Sequence, residues 1–214
     1  MANKNAAFGL RPLAKLGANY NSGGFTTYAV KSGNNSGNIF QGAVVKLGSD
    51  GYVVVAGNSD TQILGVAGGI EYTAADGSPT FQNYFPDTTA TLGSQDIKIR
   101  VYDDPNQLFL IQADGTSAQT SIGMNADVAG NANGNTTNGI SSGELDSSTL
   151  NTTQLMLRVV GVDADPDNND LASDNANLIV KINDHFYAPN TVGVKEVTLW
   201  LYQEVNSLKS WNRA

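Results

Sequence analysis

Asp163, Asp165 and Asp167 stand at alternate positions, Asn169 follows, and Asp174 is twelfth counting from Asp163. Oxygen ligands in that rhythm, closing on a twelfth acid, are the spacing of a calcium loop. Such a loop turns sharply on a glycine at its sixth place and favours Glu at its twelfth. Here those positions hold Asn168 and Asp174, and Pro166 sits inside the run. Asn reaches the left-handed conformation, so the loop is sterically open to this chain, but its flanks read as strands rather than helices. The plainer reading is a solvated turn whose Asp and Asn side chains bond their own backbone, and no metal is expected to be required.

His185 is the only histidine, so any scheme using an imidazole as general base runs through it. Its neighbour Asp184 would point to the opposite face of a strand, and the chain has no Gly-x-Ser-x-Gly elbow. A histidine at a strand end, packed or at the surface, is expected. Asp103 and Asp104 could be imagined as a glycosidase pair, which needs carboxyl groups roughly 5 to 9 Å apart across one bond. Asp-Asp-Pro-Asn is also ordinary turn chemistry, with Pro105 at a corner position. The glycines of GVAGG are followed by no Gly-Lys-Ser/Thr and no strand-to-helix transition, so no nucleotide site is expected. Without cysteine there is no disulfide, no Cys-ligated zinc and no thiol nucleophile. The expectation is no enzyme, no catalytic residue and no cofactor. Tyr20, Tyr52, Tyr72, Tyr84 and Phe85 supply flat rings that keep a carbohydrate-binding β-module open.

The elements that would position these groups are short strands. From Ile39, IFQGAVVKL, the turn GSDG and YVVVA form a hairpin signal, and TQILGVAGGIEYT continues as a strand whose Gly65, Gly68 and Gly69 suggest a bulge or close backbone approach. QDIKIRVYD alternates with period two, and QLFLIQA follows the DDPN turn. QLMLRVVGVD and NLIVKIND flank the acidic turn. The pattern predicts an all-β fold, a small barrel or sandwich-like body.

That body spans 39–187 and includes a polar excursion, and two further segments flank it. Residues 1–38, rich in Asn, Gly and Ala with scattered Phe8, Leu10, Leu13 and Leu16, read as an extended N-terminal arm. Residues 115–153 lack aromatics and are dominated by Gly, Asn, Ser and Thr, so they read as a polar loop or flap pinned by Ile122, Met124, Val128, Ile140 and Leu145, with disorder as the competing reading. The tail 188–214 mixes helical spacing with β-rich stretches and carries both tryptophans, Trp200 and Trp211. Large aromatics at a terminus pack on a body or a partner more often than they face solvent.

The 214 residues suit one large domain or two small ones. Charged residues are 15% of the chain, against roughly 25% in soluble domains, so amides, hydroxyls and bare backbone carry its polarity. Its 12 basic and 20 acidic side chains give a net charge of −8, with no basic residue between Arg100 and Arg158, and direct nucleic-acid binding is not expected. The start has no apolar run behind its basic residues and no stretch approaches the roughly 20 apolar residues of a membrane span, so neither a secretory leader nor a membrane partner is expected.

IFQGAVVKLGSDGYVVVA followed by ILGVAGGIEYT resembles the strand-turn-strand and Gly-Val signature of capsid decoration, or cement, proteins of tailed bacteriophages. AAFGLRPLAKLGANYNSGG, GSPTFQNYFP, VYDDPNQLFLIQADG, RVVGVDADPDNNDL and KINDHFY extend the resemblance, which covers roughly residues 5–187 and is similar to head-associated proteins of phages of aquatic bacteria. The resemblance implies a β-rich homotrimer on the outer surface of the virion, made in the host cytoplasm, with the phage major capsid protein as partner. Phe8, Leu10 and Leu13 in the arm, and Trp200, Leu201, Leu208 and Trp211 in the tail, are the candidate interaction residues.

Overall fold

Ile97, Ile99 and Val101 alternate with Lys98, Arg100 and Tyr102, the pattern of a strand with one face in a core. In the computed structural model, which describes residues 2–17, 24–31, 37–87, 89 and 91–188, the three apolar residues of that set are fully buried. The strands of the described residues are β1 (Arg11–Lys15), β2 (Thr26–Val30), β3 (Val44–Leu47), β4 (Val53–Val55), β5 (Ile63–Thr73), β6 (Pro79–Gln82), β7 (Ile97–Tyr102), β8 (Gln107–Gln112), β9 (Asn125–Ala126), β10 (Val128–Ala129), β11 (Gly134–Asn135), β12 (Ile140–Ser141), β13 (Glu144–Leu145), β14 (Leu157–Val162) and β15 (Asn177–Ile182). Three short 3₁₀ turns accompany them, and there is no α-helix among the described residues. The fold is all-β.

Two sheets build the body. One runs β1-β8-β15-β14-β9 and the other β2-β7-β5-β3-β4, with β6 added on β5; neighbouring strands in both are antiparallel. One apolar cluster joins Phe109, Ile111, Leu157 and Val180 of the first sheet to Val44, Ile63 and Val66 of the second. The other gathers Val45, Leu64, Ile97, Ile99 and Val101 with Ile39 and Phe85. Successive residues of β3 and β5 therefore point into different cores, which is why VV and ILGVA read as unbroken apolar runs rather than alternating ones. The edge strands β2 and β4 lie in contact but do not pair, so the second sheet curls around its own core without closing a barrel, and the body is sandwich-like.

β5 bends where the sequence is richest in glycine. Its register with β7 shifts between Ala67 and Gly69, and Gly69 sits at φ +124°, a value closed to side chains with a Cβ. At Gly65 an added Cβ would overlap the Tyr102 carbonyl oxygen, so this position tolerates only glycine while β7 lies alongside.

The described parts of residues 1–38 are extended and belong to the body. β1 is an edge strand on β8, β2 pairs along β7, and Leu10 is a core residue at 1% exposure. Ahead of β1, the Ala6 amide donates to Gln112 Oε1 at 2.8 Å and Gln112 Nε2 donates to the Lys4 carbonyl at 2.9 Å. The polar stretch 115–153 is folded onto both sheets. Val128 and Leu145 are fully buried, and the Asn131 side chain accepts from the Val44 amide at 2.8 Å and donates to the carbonyls of Val44 and Ala56 at 2.9 and 2.8 Å. A buried amide thus does what apolar side chains do elsewhere: it ties an irregular backbone to a strand.

Candidate functional site

β1 carries the first candidate surface. The Gly9 amide donates to the Gly143 carbonyl at 3.2 Å and the Leu10 amide to the Gly42 carbonyl at 2.8 Å, which draws the chain leading into β1 across the start of β3 and the 140–143 segment. A groove of about 250 Å³ results, lined by Phe8, Arg11, Pro12, Gly42, Tyr102 and Ile140 among others. The Arg11 guanidinium lies 4.4 Å from the Phe8 ring centre. Nearby, Phe25 meets Tyr102 edge-on at 6.5 Å and is covered by the Arg100 guanidinium at 4.9 Å, yet it stays 46% exposed. Leu13, Leu16 and Ile140 are exposed as well. Of the candidate interaction residues, Phe8 and Leu10 meet at this groove, Leu10 as its buried floor, and Leu13 is accessible on the same strand. Trp200, Leu201, Leu208 and Trp211 lie outside the described residues.

His185 occupies a different junction. The Ile63 amide donates to the Asp184 carbonyl at 2.8 Å and the Phe186 amide to the Ile63 carbonyl at 2.7 Å, pinning 184–186 to the start of β5. The ring is 1% exposed. Its Nδ1 accepts from the Tyr187 amide at 3.1 Å, which leaves the proton of the neutral ring on Nε2, a buried nitrogen with no partner. Burial holds the imidazole down to about 4, against the pull of Asp103 and Asp104 and with a smaller push from Lys181. One ring nitrogen is engaged and the other is sealed from solvent, so neither is presented to a substrate.

Asp103 and Asp104 have separate occupations. Asp103 Oδ2 accepts from the Tyr28 hydroxyl at 2.6 Å, and that hydroxyl also meets the Tyr187 hydroxyl at 2.9 Å. Burial, then the bond to Asp103, pushes the Tyr28 phenol far above its ordinary value. Asp104 pairs with Lys15 at 2.5 Å and accepts from the Asn106 amide at 2.8 Å, and the Lys15 ammonium holds its carboxyl below the usual range. Asp104 thus ties β1 to the turn ahead of β8, and Asp103 holds Tyr28 of β2.

The acidic turn is closed by its own side chains. Asp163 accepts from the Ala164 amide, Asp165 from the Asp167 amide and Asp170 from the Ala172 amide, while Asp167 pairs with Lys4. Asn168, in the place a calcium loop gives to glycine, is buried and donates to the carbonyls of Lys4 and Asn175, both at 2.8 Å. No three acidic or histidine side chains converge on a point that could hold an ion among the described residues.

The flat rings are dispersed. Phe85 is core, Tyr84 stacks on Phe40 at 5.1 Å, Tyr72 packs against the second cluster, and Tyr20 lies outside the described residues. Phe81, which sequence reasoning passed over, is 68% exposed. It borders a second depression, of about 290 Å³, with Glu71, Tyr72, Thr80, Asp96 and Lys98. The signal that could have found it is the alternation of PTFQ, which puts Phe81 on the face opposite Thr80 and Gln82. No family model, curated protein or solved structure matches the chain.

Proposed function

We propose that this protein binds the outer surface of an assembled phage capsid as a homotrimer and stabilises the shell, as the resemblance of its strand-turn motifs to decoration proteins implies. The observation that carries this reading is the apolar groove at β1, lined by Phe8, Pro12 and Tyr102, with Phe25 exposed against Tyr102 and with Leu13 in β1 and Leu16 just after it exposed. An apolar groove with exposed apolar side chains on the elements that build it marks an interaction surface. The net charge of −8 favours a place outside the shell, away from packaged DNA. A cyclic oligomer on a matching lattice axis makes several modest contacts at once, and a site composed only on assembly stabilises the assembled state by mass action.

Co-sedimentation with heads stripped of the protein tests this. Wild-type protein should bind assembled shells, should not bind free capsid subunits, and should raise the temperature at which heads release DNA. Leu13→Asp with Phe25→Ser, both exposed and so compatible with folding, should lower shell affinity at least tenfold. Equal binding to free subunits, or unchanged heat release, would overturn the proposal.

A further inference from the structure

We propose that the depression beside Phe81 is a binding site for a neutral sugar, distinct from the β1 surface. Three strands build its floor. Glu71 of β5 stands directly opposite Phe81 of β6 on one side and Lys98 of β7 on the other, so the three side chains form a row on the solvent face of the second sheet. Directly opposed residues in antiparallel strands share a face with their Cβ atoms about 5 Å apart, which places an aromatic plane, a carboxylate and an ammonium within one small ligand's span.

The groups around the row are those that hydroxyls need. Glu71 accepts from Arg100 at 3.2 Å and lies 3.9 Å from Lys98, which fixes its carboxylate without surrounding it with donors. Asp96 accepts from the Tyr52 hydroxyl at 3.0 Å, an anchor from β4's side of the sheet that leaves its other oxygen for a ligand. Thr73 and Gln95 add a hydroxyl and an amide to the wall.

A pyranose offers a patch of C–H groups on one face and hydroxyls around its rim. The first suits the face of an accessible phenyl ring, and the second suits fixed carboxylate, amide and ammonium groups. An anionic ligand would meet Glu71 and Asp96, and a purely apolar one would leave them without water. At about 290 Å³ the depression takes one or two sugar rings, so the ligand is a terminal or side-branch residue of a glycan.

Saturation-transfer NMR with the methyl glycosides of glucose, galactose, mannose and N-acetylglucosamine tests the site on the full chain. At least one glycoside should receive saturation at its ring C–H protons. Phe81→Ala should abolish the transfer, Asp96→Asn should weaken binding at least tenfold, and Leu13→Asp should leave it unchanged, each variant keeping the wild-type far-ultraviolet spectrum. Absence of transfer for all four glycosides, or transfer that persists in Phe81→Ala, would overturn the assignment. So would the finding that Phe81→Ala leaves sugars unaffected but weakens shell binding, which would make Phe81 a capsid contact. Loss of shell binding by the β1 variants is a separate readout, so either proposal can fail alone.

Discussion

Two buried polar residues show how this chain uses side chains that an apolar core would exclude. His185 is held neutral by burial, with a folded value of about 4 against 6.5 for the free side chain. Because the folded value is the lower one, the unfolded chain takes up the proton first. Stability is therefore full above pH 6.5, falls as the pH drops toward 4, and is flat with respect to this group below that. At about 1.4 kcal/mol per pKa unit the loss across the window is roughly 3 kcal/mol. Urea unfolding of wild type and His185→Gln across that range should show the slope in the first and a flatter profile in the second; parallel profiles would assign the acid sensitivity to other groups. Asn131 works by hydrogen bonding rather than charge. Asn131→Ala leaves the Val44 amide and the Ala56 carbonyl without the side-chain partners they have now. At about 1 to 3 kcal/mol for each unsatisfied buried group, the variant should lose roughly 2 to 6 kcal/mol, with faster amide exchange at Val44 as its local signature.

Among the elements, β5 is the least tolerant of change and β1 the least expected. Gly65→Ala forces a methyl group into the Tyr102 carbonyl, so β5 and β7 must part, and the variant should be recovered unfolded or with a melting temperature lowered by more than 10 °C, on the order of a 3 to 5 kcal/mol loss in a domain this size. Calorimetry decides it. The hairpin of β3 and β4 was legible in VVKL, the GSDG turn and VVV, because β-branched residues flank a four-residue turn closed by the Gly48 amide on the Tyr52 carbonyl. β7, β14 and β15 were legible for the same reason, as was the bulge at Gly69. β1 was not. RPLAK has neither alternation nor β-branching, since an edge strand buries little and its place is set by pairing with β8 and by Leu10 just before it. The order of 115–153 was hidden for a related reason: Asn131, Asn125 and Asp127 hold it by bonds to backbone, and a polar composition does not distinguish a bonded amide from a solvated one. Of the arm residues, Phe8 and Leu10 line one groove while Leu13 does not; that Leu10 is floor rather than rim depends on the distant Gly42, and the Phe81 depression depends on three strands meeting in register.

For the whole molecule, the two cores are not independent. Val44 and Val45 are adjacent in β3 yet belong to different clusters, as do Ile63 and Leu64 in β5. Neither core can melt without pulling strands from the other, so the described body should unfold in one transition whose calorimetric and van't Hoff enthalpies agree; two resolved transitions would contradict the shared-strand packing. The edges of the first sheet carry a further consequence. At one end β1 holds Pro12, which has no N–H to offer a newcomer, and its register slips before Lys15; at the other end β9 is two residues long. In the second sheet β2 and β4 shield one another by contact. A stack of copies joined strand to strand would find few continuous ladders to extend. Concentrated solutions should accordingly stay free of thioflavin-binding fibrils, and Pro12→Val, which restores an amide and β-branching at the edge, should be the substitution that lets them grow.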